Sequence, residues 1–156
     1  MEIEKKYLLK ELPDLSDYPF HKIEQAYLCT GPVVRVRRED ENYYMTYKGM
    51  GMMAREEYNL PLTRESYEHL AKKADGNVIR KTRYLIPLEM DGLTAEVDVF
   101  GEPFAPLIMA EVEFSTEEQA NAFVPPAWFG EEVTFDPRYH NSYMSKMTFE
   151  KGENNE

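Results

Sequence analysis

The sequence predicts a mainly β protein of the α+β class: an eight-stranded, closed antiparallel barrel with about three helices packed outside. Three observations lead there. Eight segments are rich in β-branched and aromatic residues with period-two alternation. Turn signals separate them in hairpin order. Three further stretches carry helix-capping residues. Closing the sheet also removes the edges that an open sheet must protect.

The expected strands are Glu2–Leu9, Lys22–Leu28, Val33–Arg38, Tyr43–Lys48, Ala54–Leu60, Val78–Pro87, Leu93–Phe100 and Ile108–Phe114. Gly31-Pro32, Asp40-Glu41-Asn42, Lys48-Gly49-Met50-Gly51 and Gly101-Glu102-Pro103 read as turns or loops. Asp91-Gly92, between two patterned runs, is a strong hairpin signal. Thr63 can cap a helix reaching about Ala74, with Tyr67, Leu70, Ala71 and Ala74 on one face. Ser115-Thr116-Glu117-Glu118 reads as a capping box for a short helix carrying Ala120 and Phe123. Asp136-Pro137 supplies a cap and a proline at the first helical position, for a helix to about Met147. Residues 1–149 make a single domain, and residues 150–156 a polar, frayed tail.

Period two also sorts the charges. Glu2, Glu4 and Lys6 share one face of the first strand. The same grammar puts together Arg35 with Arg37, Thr46 with Lys48, and Arg55 with Glu57 and Asn59. It also pairs Lys81 with Arg83, Glu96 with Asp98, and Glu111 with Glu113. The opposite faces hold most of the apolar residues, such as Val34, Val36, Ala95, Val97, Ala110 and Val112. In a barrel whose outside is covered by helices, the apolar face is buried there and the charged face lines the lumen. The competing reading is an ordinary solvated face. Against it, this face is concentrated in arginine and carboxylates, with the two signs grouped by strand. Buried charges of this kind need compensating ions or a ligand.

Composition narrows the chemistry. A net charge of −11 over 156 residues argues against a general nucleic-acid binder, whose footprint is basic. An anionic ligand must therefore meet a local basic pocket or arrive with divalent cations. No apolar run is long enough to span a membrane, and no signal peptide is expected. The single cysteine, Cys29, fits a reducing cytoplasm and reads as a small core hydrophobe. The i,i+2 carboxylate pairs suit hard cations, Mg²⁺ or Mn²⁺, which bind through one or two carboxylates plus phosphates. Zinc is not expected, because His21, His69 and His140 show no ligand spacing. Arginine and lysine in this number suit a chain of phosphates. The Lys48-Gly49-Met50-Gly51 stretch lacks the spacing of a phosphate-binding loop, and no Ser-His-Asp or Cys-His set stands out.

The chain resembles the CYTH superfamily, the triphosphate tunnel metalloenzymes, and is most similar to the compact bacterial inorganic triphosphatases. The resemblance runs through Glu2-Ile3-Glu4-Lys5-Lys6-Tyr7-Leu8, Arg35-Val36-Arg37 and Lys81-Thr82-Arg83-Tyr84. It continues in Glu96-Val97-Asp98-Val99-Phe100, Glu111-Val112-Glu113-Phe114, Trp128 to Thr134, and Arg138-Tyr139. It implies an eight-stranded barrel with a tunnel of acidic and basic residues. It implies Glu2, Glu4, Glu111 and Glu113 as metal ligands, with Asp98 a contributor. Lys6, Arg35, Arg37, Lys48, Arg55, Lys81 and Arg83 would grip the triphosphate. Tyr27 corresponds to a tyrosine that some relatives are proposed to use near Lys48; its alternative is a core aromatic. Glu57 is the candidate water-orienting residue. Asn59 departs from the resemblance, since many relatives carry a carboxylate there.

The function expected is Mg²⁺- or Mn²⁺-dependent hydrolysis of a triphosphate, foremost inorganic tripolyphosphate, by a cytoplasmic monomer or homodimer. Nucleoside or thiamine triphosphate hydrolysis and adenylate cyclisation are alternatives on the same fold. A non-catalytic polyphosphate or nucleotide binder is the alternative from another class. A barrel that binds nothing is a third reading.

Overall fold

A computed structural model describes residues 1–90 and 92–149. Asp91 of the expected Asp91-Gly92 turn and the expected tail 150–156 lie outside the described residues. Ten strands form one antiparallel sheet: β1 (Glu2–Leu9), β2 (Phe20–Thr30), β3 (Val33–Glu39), β4 (Asn42–Lys48), β5 (Ala54–Arg55), β6 (Glu57–Pro61), β7 (Ile79–Pro87), β8 (Thr94–Phe100), β9 (Ile108–Phe114) and β10 (Phe129–Glu132). Three α-helices accompany them: α1 (Arg64–Ala71), α2 (Glu117–Ala122) and α3 (Asn141–Met144).

Hydrogen-bonded neighbours run β10-β1-β9-β8-β7-β2-β3-β4-β6, and β5 pairs with β1 off this path. The closed eight-stranded barrel expected from the sequence is therefore corrected. The expected strand Ala54–Leu60 breaks at Glu56: β5 lies on β1 through Glu2↔Arg55, and β6 lies on β4 through Lys48↔Glu57. One segment thus touches both sides of the curled sheet, but the ladder does not close as a hydrogen-bonded ring. β10 has no alternating pattern, which is why the sequence did not show it. It pairs with β1 across a register shift between Tyr7 and Leu9.

The helix expectations need adjustment too. α1 has the expected Thr63 cap, with Ser66 completing a capping box, but it ends at Ala71 rather than Ala74. α2 is capped by Thr116, not Ser115; the Thr116 hydroxyl accepts from Gln119 N. After the Asp136 cap comes only a 3₁₀ turn, Pro137–Tyr139, and then the one-turn helix α3, not a continuous helix to Met147. Cys29 is exposed rather than in the core.

Burial explains how the charges are housed. The apolar face points outward and is covered. Ala95, Val97, Ala110 and Val112 pack with Ile3, Tyr7, Phe114 and Ala120 of α2. Ala26 and Val36 pack with Tyr43 and Tyr67 of α1. The inward face changes character along its length. Ile79, Phe100 and Met109 stand on the same side of their strands as Lys81, Asp98 and Glu111, each two residues away. They cluster with Tyr27, Val33, Phe104, Val133 and Met144 of α3. The interior is thus charged over most of its length and apolar at one end, where α3 seats.

Candidate active site

Inward-facing side chains enclose a cavity of about 140 Å³. From β1 come Glu2, Glu4 and Lys6, and from β9 Glu111 and Glu113. β2 contributes Tyr27, β3 Arg35 and Arg37, and β4 Lys48. Arg55 of β5, Glu57 of β6, and Lys81 and Arg83 of β7 complete the set expected from the sequence. Asp98 alone of the expected residues does not line the cavity. It is fully buried behind the wall, where Arg83 grips it bidentately at 2.8 and 2.9 Å and Lys81 Nζ stands 2.8 Å away.

Glu96, Asn141 and Ser142 line the cavity without having been assigned a role. Glu96 was legible, since it alternates with Asp98 on β8. Asn141 and Ser142 come from α3, and no periodicity in the sequence carries α3 to this place. Asn59 does not line the cavity; its carbonyl oxygen accepts from the buried Thr46 hydroxyl at 2.6 Å.

The ion pairs divide the cavity. Lys6 Nζ lies 3.2 Å from Glu111 and 3.9 Å from Glu4. Arg83 also reaches Glu96 at 3.3 Å and Glu111 at 3.4 Å. Lys48 Nζ stands 2.8 Å from Glu2 and 3.7 Å from Glu57, the first contact without hydrogen-bond alignment. Arg55 approaches Glu2 at 4.0 Å. On β3 the pairing is sparse. Among the described residues, Arg35 hydrogen-bonds only the Tyr27 hydroxyl, at 3.5 Å, and Arg37 pairs only with Glu39, at 3.0 Å, its guanidinium lying over the Tyr44 ring. The Nε of each arginine is buried without a partner among the described residues.

Protonation follows from this layout. Burial, with Glu111 and Glu2 nearby, pushes the Glu4 carboxyl up. Partial desolvation raises Glu113, which stands exposed at the rim of the cavity, helped by Glu4 and Glu57. Burial drives Glu96 to about 7 despite Arg83. Burial opposes ionisation of Glu111, yet Lys6, Arg83 and Lys81 hold it well below the usual carboxylate range. Desolvation lowers Lys81 to about 8, against the pull of Asp98. Burial and the charge of Arg35 lower Arg37.

Register explains the crowding of acids. Glu4 lies directly opposite Glu113, and Glu96 directly opposite Glu111. Like charges directly opposite on one face destabilise a sheet. Such pairs, with Glu4, Glu96 and Glu113 pushed toward the neutral form and Glu111 kept ionised by its cations, suit a site completed by a cation. The donor set is oxygen only, as Mg²⁺ and Mn²⁺ prefer. Among the described residues, no three acids, histidines or cysteines form a preassembled metal cage. An ion that keeps water and also binds substrate phosphates needs none.

A curled antiparallel sheet with paired charges inside and apolar residues outside defines a class, and the family comparison gives it a name. The CYTH domain model matches residues 1–148, and the chain belongs to that family. It is 40% identical over 147 residues to an inorganic triphosphatase of Nitrosomonas europaea, covering 92% of this chain and 96% of the relative. It is 34% identical over 155 residues to an inorganic triphosphatase of Acetivibrio thermocellus, covering 95% of each. A crystal structure of an inorganic triphosphatase superposes with a TM-score of 0.71 at 37% identity, covering 95% of this chain and 96% of that one. No helix among the described residues is long and apolar enough to cross a membrane.

Proposed function

We propose that this chain is a divalent-cation-dependent inorganic triphosphatase, hydrolysing tripolyphosphate to diphosphate and phosphate. The observation that carries this reading is a single cavity with crowded carboxylates on β1 and β9 and under-paired arginines on β3. The family relatives named inorganic triphosphatase support it.

Size supports the substrate. The cavity measures about 140 Å³. Pockets that enclose drug-sized ligands run to roughly 300–1,000 Å³. A cavity of this size leaves the base and sugar of a nucleotide outside.

Glu2, Glu4, Glu111 and Glu113 are the residues that would hold Mg²⁺ or Mn²⁺. Such a cation offsets phosphate charge and lowers the barrier to attack by water. Arg35 and Arg37 bind phosphate oxygens through buried N–H groups. Lys6, Lys48, Arg55, Lys81 and Arg83 complete the basic surround and stabilise charge on the departing diphosphate. Glu57, within reach of Lys48, orients the attacking water. Tyr27 fixes the Arg35 guanidinium through its hydroxyl. Asp98, held by Arg83 and Lys81, aligns those two cations rather than joining the metal ligands. Residues 1–149 act as one domain in the cytoplasm.

Phosphate release from tripolyphosphate, ATP and thiamine triphosphate, each with Mg²⁺ or Mn²⁺, tests the reading. Tripolyphosphate is expected to give the highest kcat/KM. A higher value for ATP or thiamine triphosphate would overturn the substrate.

A further inference from the structure

The inner end of the cavity is built from α3. Met144 is buried in the apolar cluster with Ile79, Phe100 and Met109. Three residues earlier, on the same helix face, Asn141 meets the charged part of the cavity. Its side-chain oxygen accepts from Gln25 Nε2 at 2.7 Å and from Lys81 Nζ at 3.0 Å. An ammonium can only donate, so the atom facing Lys81 must be Oδ1. That fixes the amide. Both lone pairs of Oδ1 are used, and Nδ2 is left buried with two N–H donors and no partner among the described residues. A buried donor without an acceptor forfeits its hydration without return. Arg35 Nε and Arg37 Nε, lining the same cavity, are in the same condition. Glu2 Oε1 and Gln25 Oε1 are buried acceptors without a hydrogen-bond partner among the described residues as well, so the three donors around this cavity point to an anion and the Glu2 oxygen to a cation beside it.

The end wall is both thin and anchored. Ser142 lines the cavity and also a surface groove formed with Met50, Tyr143 and Lys146, and Val33 and Arg55 are shared by both, so the wall between the two is one layer of side chains to which α3 contributes. Asn77 clamps α3 from behind: its amide donates to the Met144 and Met147 carbonyls at 3.2 and 2.7 Å, and its N–H to the Ser145 carbonyl at 2.6 Å. Gly76, at φ 75°, lets that loop approach; a Cβ there would collide with the Ser145 carbonyl oxygen.

Resting on the triphosphatase reading, we infer that Asn141 is the end stop of the substrate site. Its amide donates to the innermost phosphoryl group, and its bulk limits the chain to three phosphates. Asn141 thus determines specificity for chain length, in addition to positioning Lys81.

Calorimetric affinities and kcat/KM for tripolyphosphate and tetrapolyphosphate, measured with Mg²⁺ on the wild type, Asn141→Ala and Asn141→Asp, test this. The wild type should favour tripolyphosphate. Asn141→Ala should reduce that preference at least tenfold, whereas a purely structural role would weaken both substrates alike. Asn141→Asp keeps the bulk but exchanges the donor for a carboxylate. It should bind both chains at least tenfold more weakly with the preference intact. Should Asn141→Ala fail to fold, Asn141→Ser shortens the side chain and should shift the preference in the same direction. An unchanged tri-to-tetra affinity ratio in the shortened variant overturns the end stop, whether or not tripolyphosphate is hydrolysed. Absence of wild-type hydrolysis with a shifted affinity ratio would instead overturn the triphosphatase reading and leave the end stop standing.

Discussion

Arg83 and Arg37 face the same cavity and are used in opposite ways. Arg83 is spent on the protein: its guanidinium contacts Asp98, Glu96 and Glu111. Among the described residues, Arg37 has Arg35 and Arg83 for electrostatic neighbours and only Glu39 for an ion pair. The difference lies in the strands. Arg83 stands on β7, directly opposite Asp98 of β8 and near the acids of β9. Arg37 stands on β3, between Gln25 of β2 and Tyr44 of β4, neither of them charged. One arginine is held first by the acids of the fold and adds its charge to the ligand second; the other is left almost wholly for a ligand.

The largest effect should come from breaking the first kind. Arg83→Ala removes the bidentate partner of Asp98, leaving that acid to Lys81 and Glu111 to Lys6 in a buried setting. Removing one partner of a buried ion network costs about 3–5 kcal/mol. Denaturant unfolding should show that loss, and an unchanged midpoint would erase the distinction between the two arginines. Arg37→Ala should do the reverse. Removing a crowded cation leaves stability nearly unchanged, while substrate use falls roughly 10–1,000-fold, or about 1.4–4 kcal/mol. Steady-state kinetics on tripolyphosphate measure it; a rate and KM like the wild type would place Arg37 outside the site.

Glu4→Gln probes the acidic side. It removes one member of the Glu4–Glu113 like-charge pair, so the fold should hold. Affinity for Mg²⁺ or Mn²⁺ should fall roughly 10–100-fold. Metal-dependence curves of the rate would reveal it, and superimposable curves would reassign the ligands.

The smallest effect concerns pH. Burial pushes the Glu96 carboxyl up to about 7 in the folded protein, from about 4.5 for a free glutamate. Between those values the folded state holds a proton that the unfolded state has released, so this group's contribution to stability declines as pH rises. In the metal-free protein, Tm should fall between about pH 5 and 7, and Glu96→Gln should flatten that fall. Equal slopes in variant and wild type would show that Glu96 does not titrate there.

Much of this was legible in period two. Arg35 with Arg37, Glu111 with Glu113 and the rest fell on one face because strand geometry leaves no other choice. Inversion of the sheet, apolar side out, followed once helices were expected to cover the outside. Features set by three-dimensional pairing were not legible. The break at Glu56, which divides one expected strand between β1 and β4, leaves no trace in the alternation. Asp98 shares the spacing of Glu111 and Glu113, yet opposite Arg83 it is drawn behind the wall. Asn141 reaches the cavity only because the Asp136–Tyr139 turn ends early and α3 is clamped by Asn77.

Phosphate release from tripolyphosphate by the wild-type protein, followed with Mg²⁺ or Mn²⁺ and then with excess chelator, tests the central claim most directly. Turnover with either cation that is abolished by chelator and restored by re-addition is the expected result. Full turnover in excess chelator, or none with either cation, would contradict it.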